Sequence, residues 1–205
     1  MSRFKPNIKK NLIWIFFIAI FLLLLNHYLS EISKKNIDQN KNALILGGSF
    51  ELIDQNNNIF SSKSLPKFKL IYFGYTFCPD FCPFDLIKVS NIFKKNKKLI
   101  NTIQPIFITI DPERDNHNVI KNFLEGFEID IVGLTGSKIN INDVLKKFKI
   151  YNKKRKDSPS DENYLIDHSI LFFLIDENDK YIRHFSSKNF EDEFTSFINS
   201  SKLFN

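Results

Sequence analysis

The sequence predicts an α/β fold with a mixed sheet, and three observations support this. Short apolar runs alternate with segments of helical periodicity from residue 68 onward. They form two successive strand-helix-strand units, and such units are typical of α/β proteins with parallel strands. Near the end, two apolar runs are separated only by the polar segment 176–180, which predicts an antiparallel addition to the sheet.

Each element follows from its local pattern. A short hairpin is expected around the polar segment 54–58. The apolar runs predict strands at 70–75, 105–110, 131–134, 170–175 and 181–185. Apolar residues spaced three and four apart predict helices at 83–98, 116–127 and 139–148 and a terminal helix from Phe190. Residues 151–163 are polar and indicate a long surface loop. This order predicts a thioredoxin-like domain over residues 48–205.

The N-terminal residues predict a membrane anchor. Residues 12–25 are uninterrupted apolar, and residues 26–29 extend the stretch to about 18, near the lower limit for a membrane span. No Ala-x-Ala pattern follows, which favours an uncleaved anchor over a cleaved signal peptide. Residues 1–29 are therefore interpreted as a cytoplasmic N-terminus and single transmembrane helix, with the basic end inside. Residues 30–47 are interpreted as a polar tether to an exported domain.

The net charge of +6 is concentrated before the domain. Four basic residues and no acidic residue precede residue 31, which leaves 25 basic and 23 acidic residues for the rest. A nucleic-acid-binding domain would carry its excess of positive charge on its own surface. The distribution therefore argues against nucleic acid as a partner.

Cys78 and Cys82 are the only cysteines, and they lie between an apolar strand and a helix. Thioredoxin-like folds place reactive thiols at this position. Three residues separate the pair, one more than in disulfide oxidoreductases, and the longer loop allows both sulfurs to reach one ion. Pro83 suits a first helical turn, so we expect Cys82 at or beside the N-cap, with its thiolate favoured by helix N–H groups.

A metal site of this kind requires a third ligand. Two thiolates suit Cu(I), and an added imidazole allows Cu(II) or Zn(II) as well. Of the four histidines, His168 immediately precedes a buried strand, whereas His27 is near the membrane edge and His117 and His184 fit surface positions. An isolated histidine is more often an ordinary hydrogen-bonded residue. Only the cysteine pair makes His168 a candidate ligand.

Three motifs together resemble the Sco/SenC family. They are YFGYTFCPDFCP at residues 72–83, DPERD at 111–115 and YLIDHS at 164–169, in the order that is typical of the family. The resemblance covers about residues 48–200. It implies copper, as Cu(I) or Cu(II), held by Cys78, Cys82 and His168. It also implies a chaperone that delivers copper to, or reduces the cysteines of, the binuclear copper site in cytochrome c oxidase subunit II, with another copper chaperone as a candidate donor.

Residues beside the ligands also have simpler interpretations. Asp80 lies between the cysteines, where an Asx-turn is more common than a contact with the sulfurs. Asp115 or Asn116 is expected to cap the next helix. Glu113 and Arg114 are candidate partner contacts.

Two other functions remain open. A thiol-disulfide oxidoreductase or peroxidase would use Cys78 and Cys82 as a redox-active pair and would not need His168. A structural disulfide between Cys78 and Cys82 is the least favoured hypothesis, because closing such a small loop adds little to the stability of the folded protein. An anchor with its N-terminus inside suits a bacterial inner membrane with the domain in the periplasm, or a mitochondrial inner membrane facing the intermembrane space. The lack of an Arg-rich transit segment favours the bacterial case.

Overall fold

The computed structural model describes residues 20–30, 46–157, 160, 163–201 and 203–204. They fall into two compact units divided between residues 45 and 46. In the first unit, residues 20–30 are helical. The rest of the expected anchor and most of the tether lie outside the described residues. Within the described ranges, no helix has both the length and the apolar character that a membrane crossing needs, and the anchor stays a prediction.

The strands of the second unit are β1 Glu51–Asp54, β2 Ile59–Ser61, β3 Phe68–Gly74, β4 Ile103–Thr109, β5 Val132–Thr135, β6 Asn152–Lys154, β7 Ile166–His168, β8 Leu171–Ile175 and β9 Tyr181–Ser186. Seven of them form a mixed sheet with the order β2-β1-β5-β4-β3-β8-β9. Strands β3, β4 and β5 are parallel, while β1 and β8 join them antiparallel. The mixed α/β sheet and its terminal hairpin match the sequence prediction.

The helices begin and end close to the predicted positions. They are α1 Phe81–Lys95, α2 Lys97–Thr102, α3 His117–Leu124, α4 Lys138–Lys147 and α5 Phe190–Ser200. The predicted helix 83–98 is divided at Asn96, which has a non-helical backbone. Asn116 caps α3, since its side chain accepts a hydrogen bond from the Val119 N–H. Of the two caps proposed from the sequence, Asn116 is therefore the one used.

Aromatic rings fill both faces of the sheet. Every residue of β3 and β4 is buried, which explains their continuous apolar runs. On one face, the Phe172 and Phe190 rings stack with centroids 3.9 Å apart and join β8 to α5. Because adjacent strand residues point to opposite faces, Phe173 lies on the other side, where it meets Phe73 and Phe148. Many of the 23 phenylalanines thus serve the core.

A small second sheet corrects one expectation. Residues 152–154, expected within a surface loop, form β6 and pair antiparallel with β7, so that Asn152 lies opposite His168. All three β6 side chains are exposed. The pairing rests on main-chain hydrogen bonds, and a segment without apolar alternation gives no sequence signal for a strand. The pairing with β6 therefore holds in place the strand that ends at His168.

A buried ion pair fastens the turn between β8 and β9 to the centre of the sheet. Lys69 of β3 is fully buried, and its Nζ lies 2.8 Å from Asp179 Oδ1. The same ammonium donates hydrogen bonds to the carbonyl oxygens of Asp176 and Glu177. Ser62 Oγ donates to the other Asp179 oxygen over 2.7 Å. The pair therefore connects three separate segments.

We expect Lys69→Ala to lower the free energy of unfolding by about 3–5 kcal/mol, because it leaves the Asp179 carboxylate buried without its cation. Urea denaturation followed by circular dichroism measures this change. Lys94→Ala is the matched control, because Lys94 pairs with Glu128 at the surface and such pairs contribute at most about 1 kcal/mol. Equal losses for the two variants would contradict a special role for Lys69.

Candidate metal centre

The fold brings Cys78, Cys82 and His168 together. One ligand atom from each lies within 4.8 Å of the others. Cys82 Sγ is 3.7 Å from His168 Nε2. Both cysteines are free thiols. Within the described part of the chain, no other three His, Cys, Asp or Glu residues meet in this way. Three residues from three segments thus form one candidate centre.

Three different elements present these ligands. Cys78 lies in the loop after β3, Cys82 in the first turn of α1, and His168 at the end of β7. Helix α1 begins at Phe81 with Asp80 as its N-cap residue, so Cys82 lies inside the helix and not at its cap. Proline is accepted throughout a first turn, and Pro83 therefore does not mark the first helical residue.

Cys82 is fully buried, whereas Cys78 and His168 are partly exposed. Space for the buried sulfur comes from Gly74, the last residue of β3. A Cβ atom at Gly74 would lie 2.8 Å from Cys82 Sγ, closer than two such atoms can approach. A residue without a side chain is therefore required beneath this sulfur.

The imidazole of His168 is held from two sides. Its Nδ1 lies 3.0 Å from the carbonyl oxygen of Ser169. This hydrogen bond assigns the proton to Nδ1 and leaves the Nε2 lone pair facing the sulfurs. The ring also meets Tyr75 edge to face, with centroids 6.0 Å apart. Tyr75 in turn accepts a hydrogen bond from the Ile166 N–H at the start of β7.

The pKa values of the two thiols are shifted in opposite directions. A hydrogen bond from the Cys82 thiol lowers the pKa of Cys78 to about 3, and the backbone N–H groups of Cys82 and Asp80 act in the same direction. The pKa of Cys82 is raised, because its proton is held in the bond to Cys78 and the residue is buried. The sequence led us to expect the favoured thiolate at Cys82. The backbone N–H groups at the start of the helix instead donate to Cys78 and stabilise its thiolate.

Asp115 fastens the start of the cysteine loop. Its carboxylate accepts hydrogen bonds from the backbone N–H and the hydroxyl of Thr76, at 3.0 and 2.5 Å. It also accepts one from Thr109 Oγ1 at 2.7 Å. Asp115 is fully buried, and a buried carboxylate needs such donors. The residue ties the loop to the end of β4.

Asp111 fastens the segment that leads to His168. Its Oδ1 accepts the hydroxyl hydrogen of Tyr164 over 2.6 Å, and its Oδ2 lies 2.6 Å from Arg114 Nε. The Arg114 guanidinium lies 3.6 Å from the centre of the Tyr164 ring and 4.8 Å from that of Phe77. Sequence reasoning missed this arrangement. Its only signal was that acidic residues directly follow a buried strand.

Exposed aromatic side chains surround the thiols. Phe77, Phe81 and Phe84 are 50%, 55% and 62% exposed. A cavity of about 170 Å³ is lined by Cys78, Phe81 and His168, among others. Exposed aromatic rings near the accessible thiolate are a common feature of interaction sites.

The other histidines lie elsewhere. His117 begins α3, and His184 Nδ1 is 2.6 Å from the hydroxyl of Tyr181 on β9. His27 belongs to the helical segment of the first unit. None of the three is part of the cluster.

The donor set fits a soft metal ion. Two sulfurs and one imidazole nitrogen suit Cu(I), and the same set also accepts Cu(II) or Zn(II). One sulfur is already a thiolate, and the tautomer of His168 offers the second ring nitrogen, so little rearrangement is required of these side chains.

We expect the alkylation rate of Cys78 to change less than about twofold between pH 8 and pH 5. Its lowered pKa keeps the thiolate present throughout this range, whereas an ordinary thiol, with a pKa near 8.5, loses about tenfold in rate per pH unit. Iodoacetamide labelling followed by peptide mass spectrometry measures the rate. Cys82→Ala removes the hydrogen-bond donor and should restore the pH dependence. A steep profile in the wild type would refute the assignment.

Comparisons with known proteins agree with this geometry. Residues 38–201 match the family model described as SCO1/SenC. An SCO2-like protein of Rickettsia conorii is 44% identical over 154 residues, covering 75% of each chain. The mitochondrial SCO1 of Saccharomyces cerevisiae is 37% identical over 161 residues, covering 76% of this chain and 55% of its own. The copper-bound structure of Bradyrhizobium japonicum ScoI superposes with a TM-score of 0.68 at 35% identity, over 75% of this chain and 98% of the other. The chain belongs to the SCO1/SenC family.

Proposed function

We propose that this protein is a copper-binding chaperone that serves the assembly of cytochrome c oxidase. The observation that carries the proposal is the convergence of Cys78, Cys82 and His168 within 4.8 Å. The copper-bound ScoI relative supports copper as the metal. The family to which the chain belongs supports the role in oxidase assembly.

The recipient that we propose is the binuclear copper site of cytochrome c oxidase subunit II, with another copper chaperone as donor. Cu(I) passes between cysteine pairs when an incoming thiolate replaces an outgoing one. Cys78 suits this exchange, because it is partly exposed and its pKa is low. Cys82 is buried and remains as the retaining ligand until the last step.

Reduction of the recipient is the second candidate, and the unequal thiols favour it. The Cys78 thiolate would attack a partner disulfide, and Cys82 would then displace the partner's second sulfur. A Cys78–Cys82 disulfide forms, the partner gains two thiols, and two electrons pass to it. A protein with this disulfide cannot hold copper through the same sulfurs, so the two activities exclude each other at any one moment.

The location that we propose is a membrane with the N-terminus in the cytoplasm. Residues 1–29 would anchor the chain, 30–47 would serve as a tether, and 48–205 would work in the periplasm. The alternative is a mitochondrial inner membrane facing the intermembrane space. The name of the Saccharomyces cerevisiae relative supports that alternative.

We expect His168→Ala to lower Cu(II) affinity at least tenfold and to remove the thiolate-to-copper absorption bands and the corresponding EPR spectrum, because the site loses one of three ligands. Anaerobic titration of the reduced, detergent-solubilised full chain measures both. His184→Ala is the control, because His184 lies outside the cluster. Equal copper binding by wild type and His168→Ala would refute His168 as a ligand. If the wild type binds no copper yet exchanges disulfides, the oxidoreductase alternative replaces the chaperone.

Phe84→Ser should slow Cu(I) transfer to a soluble domain of subunit II severalfold without changing copper affinity. Phe84 is 62% exposed and lies three residues after Phe81, on the same face of α1, and Phe81 lines the cavity at Cys78; Phe84 therefore offers apolar contact to a protein that approaches this end of the helix. Stopped-flow absorption of the recipient measures the rate. Ile59→Ser is the matched control, since Ile59 is 73% exposed but lies on β2 at the far edge of the sheet. Equal slowing by both variants would argue against docking at the aromatic surface.

A further inference from the structure

Two buried polar groups lie behind Cys82. Tyr72 and Asp85 are each only 1% exposed. Neither the Tyr72 hydroxyl nor Asp85 Oδ2 has a hydrogen-bond partner among the residues that the structure describes. A buried polar group without a partner has lost its hydration and gained no hydrogen bond in exchange. Two of them beside a candidate metal ligand therefore need an explanation.

The position of Tyr72 is fixed by packing. It lies on β3 opposite Phe172, with ring centroids 4.8 Å apart. A Cβ placed on Gly74 would be 3.0 Å from Tyr72 Cε1 and 2.8 Å from Cys82 Sγ. Tyr72 Cε1, the ring carbon next to the one that carries the hydroxyl, is therefore separated from the buried sulfur by no more than the sum of these two distances.

The carboxylate of Asp85 is also held in place. Its Oδ1 accepts hydrogen bonds from Ser187 Oγ at 2.6 Å and from Lys88 Nζ at 2.9 Å. Asp85 follows Cys82 by three residues, so the two share a face of α1. The remaining oxygen, Oδ2, is left for a neighbour on that face.

We propose that Tyr72 is a positioning residue for Cys82: the Tyr72 hydroxyl donates a hydrogen bond to the Cys82 sulfur in the metal-bound protein. The hydroxyl has one hydrogen and two candidate acceptors. The Cys82 sulfur is a weak hydrogen-bond acceptor as a thiol and a stronger one as a metal-bound thiolate. The inference rests on the proposed copper binding.

Burial, followed by the nearby charges of Cys82 and Asp85, raises the pKa of Tyr72. This agrees with a neutral hydroxyl that donates to anionic neighbours. The phenol keeps its hydrogen whether or not the metal is bound.

A hydrogen bond to the sulfur has a defined effect on a copper site. It withdraws electron density from the thiolate, which weakens donation to Cu(II) more than to Cu(I). Hydrogen bonding around a cysteine sulfur is accordingly one of the factors that set the potential of copper sites. Tyr72 would therefore favour Cu(I), the form that exchanges between thiolates.

Tyr72→Phe in the full chain tests the inference. We expect the sulfur-to-Cu(II) absorption to move to longer wavelength, the Cu(II)/Cu(I) potential to fall, and the ratio of Cu(I) to Cu(II) affinities to drop severalfold. Tyr181→Phe is the control, because the Tyr181 hydroxyl contacts His184 away from the site. A folded Tyr72→Phe protein with unchanged band and potential overturns the proposal.

A second measurement needs no variant. In the wild type with ¹³C-labelled tyrosine, the Cζ signal of Tyr72 should shift between the metal-free and Cu(I)-bound forms, while that of Tyr181 stays in place. An unmoved Tyr72 signal in a protein that binds Cu(I) overturns this inference and leaves the copper function intact. A wild type that binds no copper overturns both, so the two failures are distinguishable.

Discussion

Two buried carboxylates hold the candidate centre together. Asp115 accepts three hydrogen bonds that fasten the cysteine loop to the end of β4. Asp111 binds Tyr164 and Arg114 and so fastens the segment that leads to His168. A buried carboxylate is costly unless its donors are in place. The same contacts that satisfy these charges therefore fix the distance between the thiols and the imidazole.

The centre is asymmetric, and the asymmetry has a physical origin. Cys82 belongs to a helix packed on β3, and Gly74 provides room for its sulfur below. Cys78 belongs to a loop that faces the aromatic surface, where hydrogen bonds stabilise its negative charge. One sulfur thus serves retention and the other serves exchange. A symmetric pair would offer a partner no preferred point of attack.

The sequence predicted much of this arrangement, because its strongest signals are local. The apolar runs of β3, β4 and β8 and the motif around Cys78 and Cys82 needed no tertiary information. The β6 strand was missed because its exposed side chains carry no pattern. The more acidic thiol was assigned wrongly because acidity depends on donors that only the folded loop brings together. The roles of Asp111, Asp115 and Tyr164 depend likewise on contacts between distant segments.

The exposed β6–β7 ladder places an unusual constraint on the chain. β6 contributes its peptide groups to the pairing, and of its exposed side chains Lys154 pairs with Glu113 and lies over the Tyr164 ring. Asn152 and Lys153 can therefore vary in identity, with proline as the exception, since proline removes a backbone donor. The alignment of the two strands cannot drift in the same way. Side chains alternate along a strand, and a slip by one residue would turn His168 away from the sulfurs. β6 thus accepts many different side chains but only one alignment with β7.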